Sequence, residues 1–275
     1  MRLKVWGVRG SIPTPVATNL GYGGNTACIE VRCPGLPDII LDGGSGIREL
    51  GMALMREFPT GSECHIFFTH FHWDHIQGVP FFTPLYHPGW HLNFHSVHEP
   101  DVLEGYLTDQ MRAPYFPVAM PVALAARTYS RVPEEGVQMG GLRIRRFPLH
   151  HPNGAHGYRI DAAGHSIVLA SDHEHGDEDV DRGIIEHAAG ADILIYDSQY
   201  TVQEYEARKG WGHSTWEQAV RMAKAAGVRQ LVLFHHDPMH SDDVVTGIVE
   251  QAREHFPQTV GAKEGWAVSF EAEAE

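Results

Sequence analysis

Cysteine, long apolar runs and basic residues are all scarce in this chain. Its three cysteines, Cys28, Cys33 and Cys64, lie among 275 residues without CxxC spacing. They argue against a disulfide framework or a cysteine-based zinc site, and predict reduced thiols in a cytoplasmic protein. No apolar run is long enough to span a bilayer, and the first residues contain no apolar segment typical of a secretory signal. We therefore expect no membrane partner.

The shortage of basic residues limits the choice of substrate. Lysine and arginine total 21 against 35 acidic residues, which gives a formal net charge of −14. Such a chain repels long polyanions such as duplex DNA or tRNA, and the sequence has no Lys/Arg-rich insertion that would bind them. A P-loop and an HExxH motif are also absent, and GGSGI at 43–47 lacks the second glycine of a GxSxG nucleophile elbow. Long nucleic acid is therefore not the expected partner.

Histidine, by contrast, is abundant, with 20 residues, and several histidines follow apolar segments. Short runs rich in β-branched and aromatic residues read as buried strands. They end at residues of the kinds that bind metals: Asp42, His70, His150 and His151, Asp172, Asp197, and His235 and His236. Since ligands gather beyond the carboxyl ends of strands in α/β sheets, these residues predict one shared site.

Helical patterns separate the predicted strands. Apolar residues recur at helical spacing over 46–58 and 241–256. A third helix is predicted to begin with a capping box formed by Ser214 and Glu217 and to end at Gly227. Strands that alternate with helices predict an α/β protein built in layers.

The densest group of polar residues is in FFTHFHWDH, residues 67–75. If this segment is extended, alternate side chains share a face, so His70, His72 and Asp74 project together while His75 turns away. One metal ion would take two of these neighbours, and a second would take Asp74 and His75. Nitrogen and oxygen ligands without thiolates suit Zn²⁺, Mn²⁺ or Fe²⁺. The segment therefore predicts a metal site.

The run His70-Phe-His72-Trp-Asp74-His75 resembles the HxHxDH signature of the metallo-β-lactamase fold superfamily. The resemblance implies one αββα sandwich domain over residues 1–275, with two mixed sheets flanked by helices. It implies that Asp42 supports the ligands of two divalent ions, with Zn or Mn favoured and Fe as the alternative. The implied ligand sets are His70, His72 and His151 for one ion and Asp74, His75 and His235 for the other, with Asp172 shared. Whether His150 replaces His151, or His236 replaces His235, stays open.

GWGHST at 210–215 resembles the histidine motif of the phosphodiesterase branch, which includes tRNA 3′-processing nucleases and cyclic-nucleotide phosphodiesterases. The resemblance implies catalytic roles for His213, as general acid, and for Asp74, with attack on phosphorus by a water activated between two metal ions. The dipole of a helix starting at Ser214 would assist. With the acidic charge, a small phosphodiester such as a cyclic nucleotide is the expected substrate. The alternatives are a thioester or lactone hydrolase, an RNA-processing nuclease and a nucleotide-sequestering protein without catalysis.

Two segments fall outside these patterns. Residues 84–142 are rich in proline, glycine and aromatic residues, and we expect an extended excursion over the site with one short helix at 101–112. Its aromatic residues are also the predicted contact surface of a homodimer. The acidic tail at 271–275 is expected to fray in solvent.

Overall fold

A computed structural model describes residues 1–270, so the predicted fraying of 271–275 lies outside the described residues. Over residues 1–270 the chain forms two seven-stranded sheets. Each sheet is mixed, because parallel pairs on one side adjoin antiparallel pairs on the other. Within the same residues, no helix has the length and apolar character needed to cross a membrane.

The strands are given in the order in which they lie side by side. The first sheet contains β14 (Ala267–Ser269), β1 (Arg2–Gly7), β2 (Cys28–Arg32), β3 (Asp38–Leu41), β4 (Glu63–Phe67), β5 (His91–Ser96) and β6 (Ala126–Arg131). The second contains β13 (Thr259–Gly261), β12 (Gln230–Phe234), β11 (Ile193–Asp197), β10 (His165–Ala170), β9 (Ala155–Ala162), β8 (Leu142–Leu149) and β7 (Val137–Met139).

The helices lie between these strands in the chain. The α-helices of the described chain are α1 (Ile47–Glu57), α2 (Trp73–Ile76), α3 (Pro100–Asp109), α4 (Glu178–Ala188), α5 (Val202–Tyr205), α6 (Trp216–Ala226) and α7 (Asp242–His255). Short 3-10 helices occur at Ala17–Asn19, Val79–Phe81, Thr83–Tyr86 and Met120–Val122.

Three apolar clusters hold the layers together. Inward-facing residues of both sheets, such as Val5, Ile160 and Val232, form the central cluster. The outer face of the first sheet packs against apolar residues of α1 and α3, and that of the second against residues of α4, α6 and α7. Burial of these apolar faces drives the packing. The layers run helix, sheet, sheet, helix, which confirms the predicted αββα sandwich.

Local predictions at the helices are confirmed in part. Ser241 caps α7, and Gly227 ends α6 with a left-handed φ of 63°. The predicted capping box is wrong, because Thr215 is the residue whose side chain accepts from the backbone of Gln218. Ser214 instead donates its hydroxyl to the carbonyl of His173. The helix therefore begins at Trp216, not at Ser214.

The region 84–142 is more regular than the predicted excursion. Its strands β5 and β6 extend the first sheet in parallel, and β7 forms an edge of the second. The predicted helix at 101–112 is found as α3, which packs on the first sheet. Proline-rich turns around short strands gave this region the composition of a loop.

Three strand ends share an unusual backbone conformation. Asp42 follows β3 with φ 62°, Asp172 lies two residues beyond β10 with φ 62°, and His235 follows β12 with φ 61°. A left-handed conformation costs a residue with a side chain about 1–2 kcal/mol. Strain of this kind concentrates at functional sites, where the surrounding structure enforces it. All three residues come from the predicted site.

Candidate metal centre

The seven side chains predicted to bind metal lie together at the ends of strands from both sheets. Their potential ligand atoms form two groups, each within 4.8 Å. We call the seven residues the ligand cluster: His70, His72 and His151 in one group, and Asp74, His75, Asp172 and His235 in the other.

Asp172 lies between the two groups. Its Oδ2 is 3.2 Å from Nε2 of His75 and its Oδ1 is 3.3 Å from Nε2 of His235. The same Oδ1 is 3.9 Å from Nε2 of both His70 and His151. One carboxylate thus faces both groups, which is the arrangement needed for a shared ligand.

The segment 67–75 is not extended throughout. The chain turns into the short helix α2 at Trp73, so Asp74 and His75 both face the other cluster residues. The Oδ2 atom of Asp74 lies 3.3 Å from Nε2 of His75 and 3.2 Å from Nε2 of His235. The prediction that His75 turns away from Asp74 is therefore wrong, because a helical turn replaces the strand alternation.

The structure distinguishes the members of each histidine pair. His151 and His235 belong to the ligand cluster. His150 is exposed and its Nδ1 lies 3.1 Å from the carbonyl of Glu174, whereas His236 points its Nε2 at the carbonyl of Ala262, 2.9 Å away. Geometry thus places His151 and His235, not their neighbours, at the site.

The outer nitrogens of the histidines contact acceptors that fix the rings. The Nδ1 atom of His75 lies 2.9 Å from Oδ2 of Asp42. The Nδ1 atom of His151 lies 2.8 Å from the carbonyl of Gly212, and that of His235 lies 2.8 Å from Oε1 of Gln199. With the proton on Nδ1, each ring directs the Nε2 lone pair into the cluster. The contact of Asp42 supports the predicted role of this carboxylate behind the ligands.

The ligand cluster contains nitrogen atoms without suitable hydrogen-bond partners, which divalent metal ions would satisfy. Within residues 1–270, the buried Nε2 of His70 has no hydrogen-bond partner. Nε2 atoms also face each other, as those of His75 and His235 do at 3.3 Å, where two lone pairs would repel. A cation between these nitrogens and the carboxylates satisfies both conditions, and the donor set of imidazole and carboxylate suits Zn²⁺, Mn²⁺ or Fe²⁺.

The electrostatics of the cluster also favour cations. Burial lowers the pKa of His70 well below its usual value and that of His151 to about 4, so both imidazoles are neutral and free to bind metal. Burial alone would raise the pKa of Asp172, but the charges of His235 and His75 outweigh it and hold that pKa low. In return, Asp172 and Asp74 raise the pKa of the buried His235 to about 9. The carboxylates thus attract positive charge into the cluster.

His213 adjoins the ligand cluster. Its ring lies 5.2 Å from that of His151 and 5.0 Å from that of His235. Its Nδ1 is 2.8 Å from Oδ2 of Asp197, which leaves proton transfer to Nε2. Asp197, at the end of β11, also accepts from the backbone N–H of Asp172 and Ser214. The sequence identified Asp197 as a strand end but gave no role for it; the structure makes it the partner of His213.

Glu174 is a second residue that the sequence did not reveal. It is 6% exposed, and its carboxylate accepts from the backbone N–H of Gly210 and Gly212, 2.7 and 2.8 Å away, and from the hydroxyl of Tyr205. Gly212 must be glycine, because it has φ 89° and a Cβ would lie 2.1 Å from Nδ1 of His151. Glu174 therefore holds the loop that orients both His151 and His213.

Replacing Glu174 with glutamine is expected to lower kcat about 10- to 100-fold, the usual effect of losing a group that orients metal ligands. One amide N–H₂ would face a backbone N–H, so part of the loop's support is lost. Steady-state kinetics would measure the effect, with Glu206→Gln as the control because Glu206 is exposed and pairs with Lys209. Equal rates in both variants would contradict the positioning role.

The two adjacent histidines offer a matched pair for testing the ligand assignment. We expect His151→Ala to lower bound metal from about two ions per chain to about one, since metal sites lose affinity steeply when a direct ligand is removed. His150→Ala should leave metal content unchanged, because that ring is exposed and outside the cluster. Elemental analysis of the purified proteins decides. Equal loss in both variants would refute the assignment.

Three comparisons relate this chain to known proteins. Residues 39–236 match the family described as a beta-lactamase superfamily domain. Ribonuclease Z of Synechococcus sp. is 25% identical over 323 aligned residues, covering 96% of this chain and 94% of the relative. The crystal structure of the metallo-beta-lactamase fold protein YhfI from Bacillus subtilis has a TM-score of 0.73 at 19% identity, over 97% of this chain and 98% of that one.

A further solved structure has the same fold. The crystal structure titled as a new diphosphatase from the PhnP family gives a TM-score of 0.71 at 20% identity, over 98% of both chains. At such identities the structural likeness concerns the fold, whereas the match over 39–236 concerns the family. The chain is therefore a member of the beta-lactamase superfamily, a hydrolase with the metallo-β-lactamase fold.

Proposed function

We propose that the protein is a phosphodiesterase that uses two divalent metal ions to hydrolyse a small phosphodiester such as a cyclic nucleotide. The observation that carries the proposal is the pairing of His213 with Asp197 directly beside the seven-residue ligand cluster. The cluster would hold the ions, and His213 offers a proton donor next to them. Such a combination suits reactions in which a basic alkoxide leaves.

Phosphorus chemistry is favoured by the relatives. The names ribonuclease Z and diphosphatase both describe proteins that hydrolyse phosphorus–oxygen bonds. A small substrate is favoured over RNA by the charge of this chain, −14 with only 21 lysines and arginines. Bound metal ions would reverse the negative field locally but not over the length of a tRNA.

The chain's own residues have distinct parts in this reaction. His70, His72 and His151 would hold one ion, Asp74, His75 and His235 the other, and Asp172 both. When bound, such ions lower the pKa of water and neutralise charge on phosphoryl oxygens. His213 would donate the proton on Nε2 to the leaving oxygen, while Asp197 keeps its ring oriented and stabilises its charge. Asp42, Gln199 and Gly212 keep the ligand rings in place.

Hydrolysis of bis(p-nitrophenyl) phosphate tests the proposal. We expect no turnover by metal-stripped protein and restored turnover with Mn²⁺ or Zn²⁺, because the ligand cluster is completed only by cations. His72→Ala, which removes one ligand, should stay inactive with either metal. Protein that binds two ions yet hydrolyses only thioesters or lactones would refute the phosphodiesterase and support the alternative hydrolase.

A further inference from the structure

A cleft opens beside His213, next to the ligand cluster. It has a volume of about 610 Å³. The side chains that matter here are those of Gln199, Tyr200, Arg208, Trp211, His213 and Met239. We call it the Arg208 cleft. It contacts the site directly, because Gln199 also holds the ring of His235. A larger cavity of about 730 Å³ beside Trp73 is lined by none of the seven cluster residues.

Arg208 supplies the cleft with a positive charge that is not neutralised. Its guanidinium lies over the ring of Tyr200, 5.0 Å from the ring centre, and that ring is 5.8 Å from the ring of His213. Within the described residues, no carboxylate lies within ion-pair distance of Arg208, and its one side-chain hydrogen bond is a long one of 3.4 Å to the carbonyl of Glu204. The adjacent Lys209, by contrast, pairs with Glu206 at 2.9 Å.

An unpaired guanidinium in this position points to an anionic ligand. Asp237 also lines the cleft, but its carboxylate accepts from the backbone N–H of Met239. In a chain with a net charge of −14, a cation left without an acidic partner beside the site is available for phosphate. Arginine binds phosphate through several N–H groups at once, which favours it over lysine.

Two large apolar side chains project into solvent at the same cleft. Trp211 is 61% exposed and Met239 is 84% exposed. Both stand on anchored backbone: Glu174 accepts from the neighbours of Trp211, and the buried Arg9 donates to the carbonyls of Asp237 and His240 on either side of Met239. Exposed aromatic and thioether groups on a fixed backbone suit a planar apolar group such as a nucleobase.

We propose that the Arg208 cleft binds a nucleotide unit, with its base on Trp211 and Met239 and its phosphate on Arg208, so that preferred substrates contain a second phosphate one nucleoside away from the scissile diester. The inference rests on the proposed phosphodiesterase function and narrows its substrate class. Arg208 is then a residue that determines specificity, and substrates with a single phosphate would use only part of the cleft.

Binding to the Mn²⁺-loaded protein tests the cleft without requiring turnover. Titration calorimetry would compare adenosine 5′-monophosphate, with one phosphate, and adenosine 3′,5′-bisphosphate, with two. We expect the wild type to bind the bisphosphate about tenfold more tightly or better, as one charge-assisted contact predicts. Arg208→Gln should bring this ratio close to one, and Arg208→Lys should retain part of it because the charge is kept.

Two further variants separate charge from stacking. Lys209→Gln makes the same change of charge one residue away and should keep the ratio. Trp211→Ala should weaken both nucleotides equally, since it removes only the surface for the base. A wild-type ratio near one would overturn the proposal, as would a ratio that survives in Arg208→Gln. Loss of affinity for both ligands alike in Arg208→Gln would overturn it too, because Arg208 would then contact the phosphate that both share.

The same preparations distinguish this inference from the proposed function. If the wild type shows the bisphosphate preference but does not hydrolyse bis(p-nitrophenyl) phosphate with any metal, the phosphodiesterase fails while the nucleotide cleft stands. If it hydrolyses that compound but binds both nucleotides equally, the cleft fails while the phosphodiesterase stands. Thermal melting of Arg208→Gln and Arg208→Lys verifies that both variants fold before either result is read.

Discussion

Asp172→Asn is expected to reduce phosphodiester hydrolysis by at least about a thousandfold, because metal ions contribute several kcal/mol of charge stabilisation and about 1.4 kcal/mol corresponds to a factor of ten. The Asp172 carboxylate faces both groups of the ligand cluster, so a neutral side chain in its place weakens the binding of both metal ions. Asparagine is the informative substitution, since it matches the volume of aspartate and tolerates the left-handed φ of 62° at this position. Elemental analysis measures the loss of bound metal, and steady-state kinetics measures the loss of turnover.

The control for this variant lies at the opposite end of the second sheet. Asp192 is also a buried carboxylate, and it accepts from the backbone of Ser166 and pairs with Arg229 just before β11. Asp192→Asn should lower thermal stability at most and leave bound metal and kcat unchanged. Full metal content in Asp172→Asn with unchanged turnover would show that the shared carboxylate has no role in metal binding.

His213→Gln is expected to show a loss that depends on the leaving group. For natural diesters, which release a basic alkoxide, kcat should fall about 10²- to 10⁴-fold, the usual contribution of a general acid. For bis(p-nitrophenyl) phosphate the fall should be much smaller, because p-nitrophenolate leaves without a proton. Metal content should stay at the wild-type level. Rates for a series of leaving groups, plotted against the acidity of the leaving group, would show a steeper slope in the variant.

The position of His213 also allows an alternative to the role of general acid. Its ring nitrogens are close enough to His151 and Asp172 for it to be a metal ligand instead. In that case His213→Gln would lose metal and slow every substrate by the same factor. Asp197→Asn provides a second test, because a neutral partner no longer stabilises a charged imidazole on His213. If the pair acts as a proton donor, this variant should show the same leaving-group dependence as His213→Gln.

Much of the site could be predicted because ligands follow apolar strands. Buried runs such as those before Asp172 and His235 have few ways to end except at a sheet edge, so polar residues at their ends meet there. The HxHxDH run adds four residues whose proximity is guaranteed by the chain itself. These two signals predicted a layered α/β protein and one shared metal site. The set of seven ligands was implied by the resemblance to the metallo-β-lactamase fold superfamily, with His150 and His236 left as alternatives.

Other features depend on contacts between distant parts of the chain. Which of His150 and His151 faces the cluster is decided where the chain leaves β8, a shift of one residue that reverses a side chain. Glu174 meets Gly210 and Gly212, which are 36 and 38 residues away, only after two loops have closed on each other. The strand β5 is a parallel neighbour of β4, and β6 is a parallel neighbour of β5. These pairings leave little signal in a proline-rich composition.

The division of the ligand cluster between the two sheets bears on when the protein acquires its metal. His75 and His235 are 160 residues apart in the chain, and every ligand after His75 comes from the second sheet. A ribosome that has released only strands β1 to β6 of the first sheet has therefore produced an HxHxDH segment without its partners. The group that contains His151 can be completed only after β8 has emerged, and the group that contains His235 only after β12 has emerged. Capture of both metal ions therefore follows synthesis of nearly the whole sandwich. Two bound metal ions in this protein would thus indicate that both halves of the chain have been synthesised and have packed together.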